Sequence, residues 1–343
     1  NKYNIRFVKY IYVSLGWKHI YCGIFEAEHK GIKFYFIDNE QYFNRYQTYG
    51  EPDDGERFAF FSKAAVDMMP HIDFKANVMN ANDWHAALSV VYLDRYRRER
   101  NDFYKDMKSV ISIHNVEFQG KFNPYLLGSL FGLGNDYLGA LKFDHDINLL
   151  KGAIQLADRV NTVSENYANE LLNPYFSFGL DPILSSERGK LRGIVNGIDY
   201  DKFDPSSDPN ISQKFSLKSL NKKIKNKLAF QKEMALEVSE DIPMVGMVTR
   251  LTGQKGIDLV VGAAEHILNM GAQLVILGTG DPYFEDQLRN LENRRHDKMR
   301  SILKFSNEIS SKIYASSDIF LMPSKSEPCG LSQLIAMRYG SIP

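Results

Sequence analysis

The run Ile319-Phe320-Leu321-Met322-Pro323, followed by Ser324-Lys325-Ser326-Glu327-Pro328-Cys329-Gly330-Leu331-Ser332-Gln333, decides how this chain is read. The first five residues are apolar and end in proline, the pattern of a buried strand that stops there. Leu334-Ile335-Ala336-Met337-Arg338-Tyr339 then reads as a short helix, stopped by Gly340 and Pro343. Strand, loop and helix in that order form the unit of an α/β fold, whose ligands sit in the loops leaving the strands. Glu327 thus stands where a carboxylate can accept sugar or ribose hydroxyls. The Cys329, Gly330 and Leu331 amides open a helix whose N-terminus favours a phosphate. Taken alone, the loop is better explained as a plain helix start with Pro and Glu in its first turn. The rest of the chain shifts that balance.

The same unit recurs upstream. Pro243–Thr249 reads as a strand, and Arg250-Leu251-Thr252-Gly253-Gln254-Lys255-Gly256-Ile257-Asp258 leaves it. Two cations five residues apart on one loop suit a diphosphate: arginine offers a fork and lysine a point charge. The glycine spacing is not that of a Walker loop. Gln273–Leu277 is another strand, ended by Gly278-Thr279-Gly280-Asp281, a weak signal that a plain turn explains. Nearer the N-terminus, Asn77–Ala81 reads as a strand and Asn82-Asp83-Trp84-His85 as the cap of a helix over Ala86–Tyr96. Ser109–Ile113 is a strand ending at His114-Asn115-Val116-Glu117-Phe118-Gln119-Gly120, and Ala157–Ser164 a strand ending in a helix cap. Arg192–Asp199 reads as a strand with a tight Asn196-Gly197 turn. Residues 5–37 read as antiparallel strands, Gly55–Met69 as a helix, and the lysine-rich Lys222–Lys227 as a solvated helix face.

With 343 residues the chain is long enough for about two domains. Lys+Arg 42 balance Asp+Glu 42, which argues against a nucleic-acid-binding protein. Two cysteines, Cys22 and Cys329, make neither a disulfide framework nor a zinc set and fit a reducing cytoplasm. No apolar run approaches ~18 residues, so no membrane span is expected.

The order Ser-x-Glu-Pro-Cys-Gly-Leu-x-Gln after Phe-Leu-Met-Pro resembles the ADP-glucose-type glycogen and starch synthases. The resemblance extends to Asp83-Trp84-His85, His114–Gly120, Arg192–Asp199, Arg250–Gly256 and Leu277–Asp281, and so spans nearly the whole chain. It implies the GT-B architecture: two Rossmann-like domains facing across a cleft, here an acceptor-side domain over 1–190 and a nucleotide-sugar domain over 191–343. It implies transfer of glucose from ADP-glucose to the non-reducing 4-hydroxyl of glycogen or another α-1,4-glucan, with retention and with neither a metal nor another cofactor. Arg250 and Lys255 are expected to stabilise the leaving diphosphate, and Glu327 to hold the donor sugar with the Cys329–Leu331 amides. His114 and Asn196 are expected to position the donor glucose, Gly278, Gly280 and Asp281 to lie near the nucleotide, and Asp83 to line the cleft. The alternatives are a related UDP-glucose enzyme and a glucan-binding fragment without turnover. The family's Lys-x-Gly-Gly-Leu and Thr-Gly-Gly-Leu loops are not found, and Asn1 is not an initiator methionine. The chain is therefore expected to be a poorly active piece of a longer synthase. Ile335 stands where related transferases carry a second glutamate, as expected for the synthases.

Overall fold

Short apolar runs with no polar alternation belong to strands covered on both faces, whereas alternating runs belong to strands covered on one. Both kinds occur here. The computed structural model describes residues 3–343, which divide into two compact units, one ending at Val195 and the other running from Asn196 to Pro343.

The N-terminal unit opens with the expected antiparallel sheet, β1 (Arg6–Leu15), β2 (Lys18–His29) and β3 (Ile32–Asp38). One face buries Val13, Leu15, Cys22 and Ile24, and helix α1 (Asp54–Asp67) packs against β1. A parallel sheet follows, carrying β4 (Val78–Asn82), helix α2 (Asp83–Arg98) and β5 (Lys108–Ile113). A small antiparallel sheet of β6 (Lys121–Phe122), β7 (Lys142–Phe143) and β8 (Asp146–Asn148) interrupts the alternation. Helix α3 (Leu149–Leu156), β9 (Arg159–Thr162), helix α4 (Glu165–Glu170) and β10 (Leu191–Gly193) complete it. The order is β10-β9-β5-β4, parallel throughout. Ser164 caps α4 by accepting the Tyr167 N–H at 3.0 Å. Because β10 pairs with β9, Leu191–Gly193 lie within this sheet.

The C-terminal unit is a plain βαβ alternation after helix α5 (Lys223–Glu233): β11 (Met244–Val248), α6 (Ile257–Asn269), β12 (Gln273–Leu277), α7 (Pro282–Arg294), β13 (Met299–Ile302), α8 (Asn307–Ser316), β14 (Ile319–Phe320) and α9 (Leu331–Arg338). Its sheet runs β13-β12-β11-β14, again parallel. Leu274 and Ile276 face a core shared with α6 and α7, while Val275 and Leu277 face one shared with α8 and α9. Both faces of β12 are thus covered, which is why its sequence does not alternate. The ladder of β14 is shorter than its five-residue apolar run, although the Leu321 N–H still donates to Gly246 O at 2.8 Å. No helix among the described residues is long and apolar enough to cross a membrane.

Two local expectations fail. Asn196-Gly197 makes no turn: the segment is irregular, and Gly197 does not adopt a left-handed backbone. The Lys222–Lys227 run is not a solvated face, because α5 packs against α8 and turns two of its lysines inward. Lys227 Nζ lies 2.8 Å from Asp318 Oδ2 and donates to Glu240 O at 2.8 Å. Lys223 Nζ donates to Tyr314 O, Ala315 O and Ser341 Oγ at 3.0–3.1 Å, satisfying carbonyls at the end of α8. Burial pushes the Lys223 amine down to about 7; Asp318 opposes that shift and Lys227 adds to it.

This lysine is expected to make stability depend on pH. Its folded value of about 7 lies below the ~10.4 of a lysine in an unfolded chain, so between those values the unfolded state binds more protons. Stability therefore rises with pH from about 7 to about 10, relative to a Lys223→Met variant. Urea midpoints of both proteins across that range measure the difference, and parallel curves would refute the expectation.

Candidate functional site

In a parallel sheet every strand ends on the same side, and the loops leaving those ends converge there. In the C-terminal unit this brings the loop after β11 against the loop after β14, since those strands are neighbours. Lys255 Nζ donates to Glu327 Oε2 at 2.7 Å, and Ser324 Oγ donates to the same oxygen at 2.8 Å. The Lys325 N–H donates to Gln254 O at 2.9 Å, and Lys325 Nζ lies 2.6 Å from Asp258 Oδ2. That contact holds the Asp258 carboxyl below the usual carboxylate range. Gly256 is the pivot. Its φ is +69°, and a Cβ there would lie 2.1 Å from Pro323 O, so only glycine lets the two loops approach.

Lys255 is thus held in place by Glu327. Arg250 is exposed, and among the described residues it has no acidic partner within ion-pair distance. The Thr252 hydroxyl between them is buried without a hydrogen-bond partner.

Gly278 and Gly280 serve the same approach on the other side. A Cβ at Gly278 would lie 1.9 Å from Thr249 O, and one at Gly280 2.3 Å from Leu251 O. Asp281 is engaged locally: its Oδ1 accepts the Tyr283 N–H at 2.9 Å and caps α7. A cavity of about 300 Å³ opens at these strand ends, lined by Thr249, Arg250, Gly278, Thr279, Phe305 and Ser332 among others. Phe305 is 83% exposed and offers its ring at the cavity. Sequence reasoning missed Phe305 and Thr279. Their position just past a strand end was the available signal; Thr279 occupies the variable place of the Gly278–Asp281 turn, and Phe305 stands in no motif.

Helix α9 begins at Leu331, with Gly330 as its N-cap at φ +78° and no side-chain cap. The Cys329 and Gly330 amides therefore precede the helix's first turn, and Leu331 is its first residue. Cys329 O accepts from Gln333 Nε2 at 3.3 Å. Both cysteines are free, Cys329 partly exposed and Cys22 buried with its thiol pushed up to about 12 by burial.

In the N-terminal unit, α2 and the loop after β5 bring Asp83 and His114 together. The His114 N–H donates to Asp83 Oδ1 at 2.8 Å. Asp83 therefore does not cap α2, as the sequence suggests; it lies inside the helix's first turn with φ +55°. His114 Nε2 lies 2.9 Å from Asn82 Oδ1, a partner that sequence reasoning did not single out. Two other motif residues hold the loop. A Cβ at Gly120 would meet the Trp84 ring at 2.6 Å, and buried Gln119 donates to Phe178 O and accepts from Asn148. Asn196 stands in irregular chain just past the division, half-buried.

Comparison with known proteins agrees across both units. Residues 1–186 match the family described as "Starch synthase catalytic domain", and residues 230–343 match "Glycosyl transferases group 1". A glycogen synthase of Clostridium botulinum (strain Eklund 17B) is 47% identical over 344 residues, covering all of this chain and 72% of the relative. A glycogen synthase of Streptococcus mutans is 47% identical over 336 residues, covering 97% of this chain and 70% of the relative. Among solved structures, the catalytic domain of starch synthase IV from Arabidopsis thaliana, bound to ADP and acarbose, superposes with a TM-score of 0.90 at 34% identity. That match covers 99% of this chain and 71% of that one.

The Gly256 contact yields a direct expectation. Gly256→Ala places a side chain in a left-handed backbone and against Pro323 O, which costs about 2 kcal/mol or more. A fall in the urea midpoint of that size is expected, and an unchanged midpoint would show that the two loops are not locked together.

Proposed function

The chain belongs to the starch and glycogen synthase family of glycosyltransferases, and from that premise we propose its donor, its acceptor and the roles of its residues. The reaction is glucosyl transfer in glycogen synthesis. The donor is ADP-glucose and the acceptor the non-reducing 4-hydroxyl of an α-1,4-glucan. The bond from C1 to the diphosphate breaks and its electron pair leaves with ADP; C1 then bonds to the acceptor oxygen on the same face, and the hydroxyl proton is released.

The observation that carries the reading is the Lys255–Glu327 pair between loops leaving neighbouring parallel strands, with Arg250 on the first of those loops lining the cavity at the strand ends. Charge grows on the diphosphate as the bond breaks, and preorganised cations aimed at that charge lower the barrier. Arg250 and Lys255 fill this role. Glu327 faces the donor glucose with one oxygen occupied by Lys255 and Ser324, which leaves the other free to accept a sugar hydroxyl. The cavity beside Phe305 takes the nucleoside, with the ring offering a face to the base. His114 takes the donor glucose from the N-terminal unit, with Asn196, and Asp83 holds His114. The Cys329, Gly330 and Leu331 amides, at the entry to α9, offer donors to phosphate. That a related starch synthase was solved with ADP and acarbose supports a nucleotide and a glucan as ligands. Two free cysteines fit a cytoplasmic setting.

ADP release measured with ADP-glucose and glycogen tests this reading, beside UDP-glucose and a Glu327→Ala control. Glycogen-dependent ADP release is expected, weaker with UDP-glucose and lost in the control. Arg250→Ala is expected to lower kcat by a factor on the order of 10²–10³. Faster turnover of UDP-glucose would move the chain to the UDP-dependent reading. Undiminished release by Glu327→Ala would overturn the assigned role.

A further inference from the structure

We infer that Asn82 is a positioning residue for His114. It holds the imidazole with hydrogen on Nε2 and so presents Nδ1 as a hydrogen-bond acceptor to a substrate hydroxyl. The inference rests on the reading above, in which His114 faces the donor sugar. Asn82 ends β4 and is the N-cap of α2, with an extended backbone at φ −117° and ψ 119°. An asparagine there ordinarily turns its carbonyl onto an amide of the helix's first turn. Here it makes no such bond, and its Oδ1 instead lies 2.9 Å from His114 Nε2, on the loop leaving the neighbouring strand. The next residue departs from its local preference as well. Asp83 adopts φ +55°, a left-handed backbone that a non-glycine residue holds only against strain, and its Oδ1 accepts the His114 N–H.

Two adjacent residues thus give up helix capping and relaxed backbone, and both reach the same histidine. One fixes its main chain and the other its ring. Departures of this kind concentrate at functional sites because the surroundings must over-determine them.

The choice of an amide over a carboxylate has a chemical consequence. A carbonyl oxygen facing Nε2 requires a hydrogen on that nitrogen in either protonation state. In the neutral ring this leaves the Nδ1 lone pair free for a hydroxyl donor. Because the amide is uncharged, it orients the ring without drawing it toward the imidazolium form, as a carboxylate would.

Two readouts test this. Nitrogen-15 NMR of histidine-labelled protein, with His114→Ala to assign its signal among the eight histidines, reports the tautomer without activity. The Nε2–H form is expected in the wild type and a tautomer mixture in Asn82→Ala. An Nδ1–H form in the wild type, or an unchanged spectrum in Asn82→Ala, overturns the inference. In the ADP-release assay, Asn82→Asp is expected to move the acidic limb of the kcat/KM profile upward by about one pH unit, and Asn82→Ala to lower kcat/KM about tenfold at an unshifted urea midpoint. A profile that keeps its limb in Asn82→Asp while His114→Ala is inactive overturns the inference and leaves the synthase reading intact. Full activity in His114→Ala overturns the role of His114, and this inference with it.

Discussion

The strand-end site of the C-terminal unit depends on one contact, the ion pair between Lys255 and Glu327 at 2.7 Å. The two residues lie on loops that leave neighbouring strands, and each side chain is mostly shielded from water. A lone charge in that setting would be costly to desolvate, so each makes the other's position tenable. The approach needed for the pair also explains nearby sequence: glycine at 256 because Pro323 O is too close for a side chain, and Lys325 bonded through its main chain to the facing loop and through its side chain to Asp258 in the first turn of α6. Removing either partner would therefore disturb more than its own chemistry, leaving a shielded charge with no counterpart.

The pair also sets the electrostatic character of the site. Lysine and glutamate neutralise one another, so positive charge at the strand ends comes from Arg250, which is exposed and has no acidic partner among the described residues, and from Lys304, which lines the same cavity. In the proposed reading, an arriving diphosphate would meet an open guanidinium and a lysine already aimed by its carboxylate. Preorganisation of this kind removes the need to reorient a flexible ammonium as charge builds on the leaving group. Ser324, on the same carboxylate oxygen, gives Glu327 a second hold besides Lys255.

Much of this arrangement is legible in the amino-acid sequence. The α/β class follows from apolar runs alternating with helical ones, and the strands at Ser109–Ile113, Gln273–Leu277 and Ala157–Ser164 stand close to where their composition puts them. The motifs locate Lys255, Glu327, Asp83 and His114 because loops at strand ends are short and their positions follow from the sheet. Pairing is what the sequence does not carry. Nothing in Lys222–Lys227 announces that α5 will pack a lysine-bearing face on α8, because sequence periodicity does not say which polar atoms a neighbouring helix leaves unsatisfied. Nor does Asn-Gly announce irregular chain instead of a turn at 196–197. Asp281 is a candidate ligand by motif and a helix cap by structure; the motif alone does not separate the two.

These failures of local reading are of two kinds, and the difference is physical. Lys223 and Lys227 break the rule that lysines are solvated, yet their hydrogen bonds and ion pair all go to the protein's own carbonyls, a hydroxyl and a carboxylate. That is closure of a core, complete without any ligand. Asn82 and Asp83 break the rules of capping and backbone preference to reach a histidine that is itself exposed. Their contacts hold its main chain and one ring nitrogen and leave the other nitrogen open to water or to a ligand. A buried polar network that closes on itself argues for stability. A surface network that ends on an exposed, orientable imidazole argues for recognition, and that distinction separates the two sets of residues.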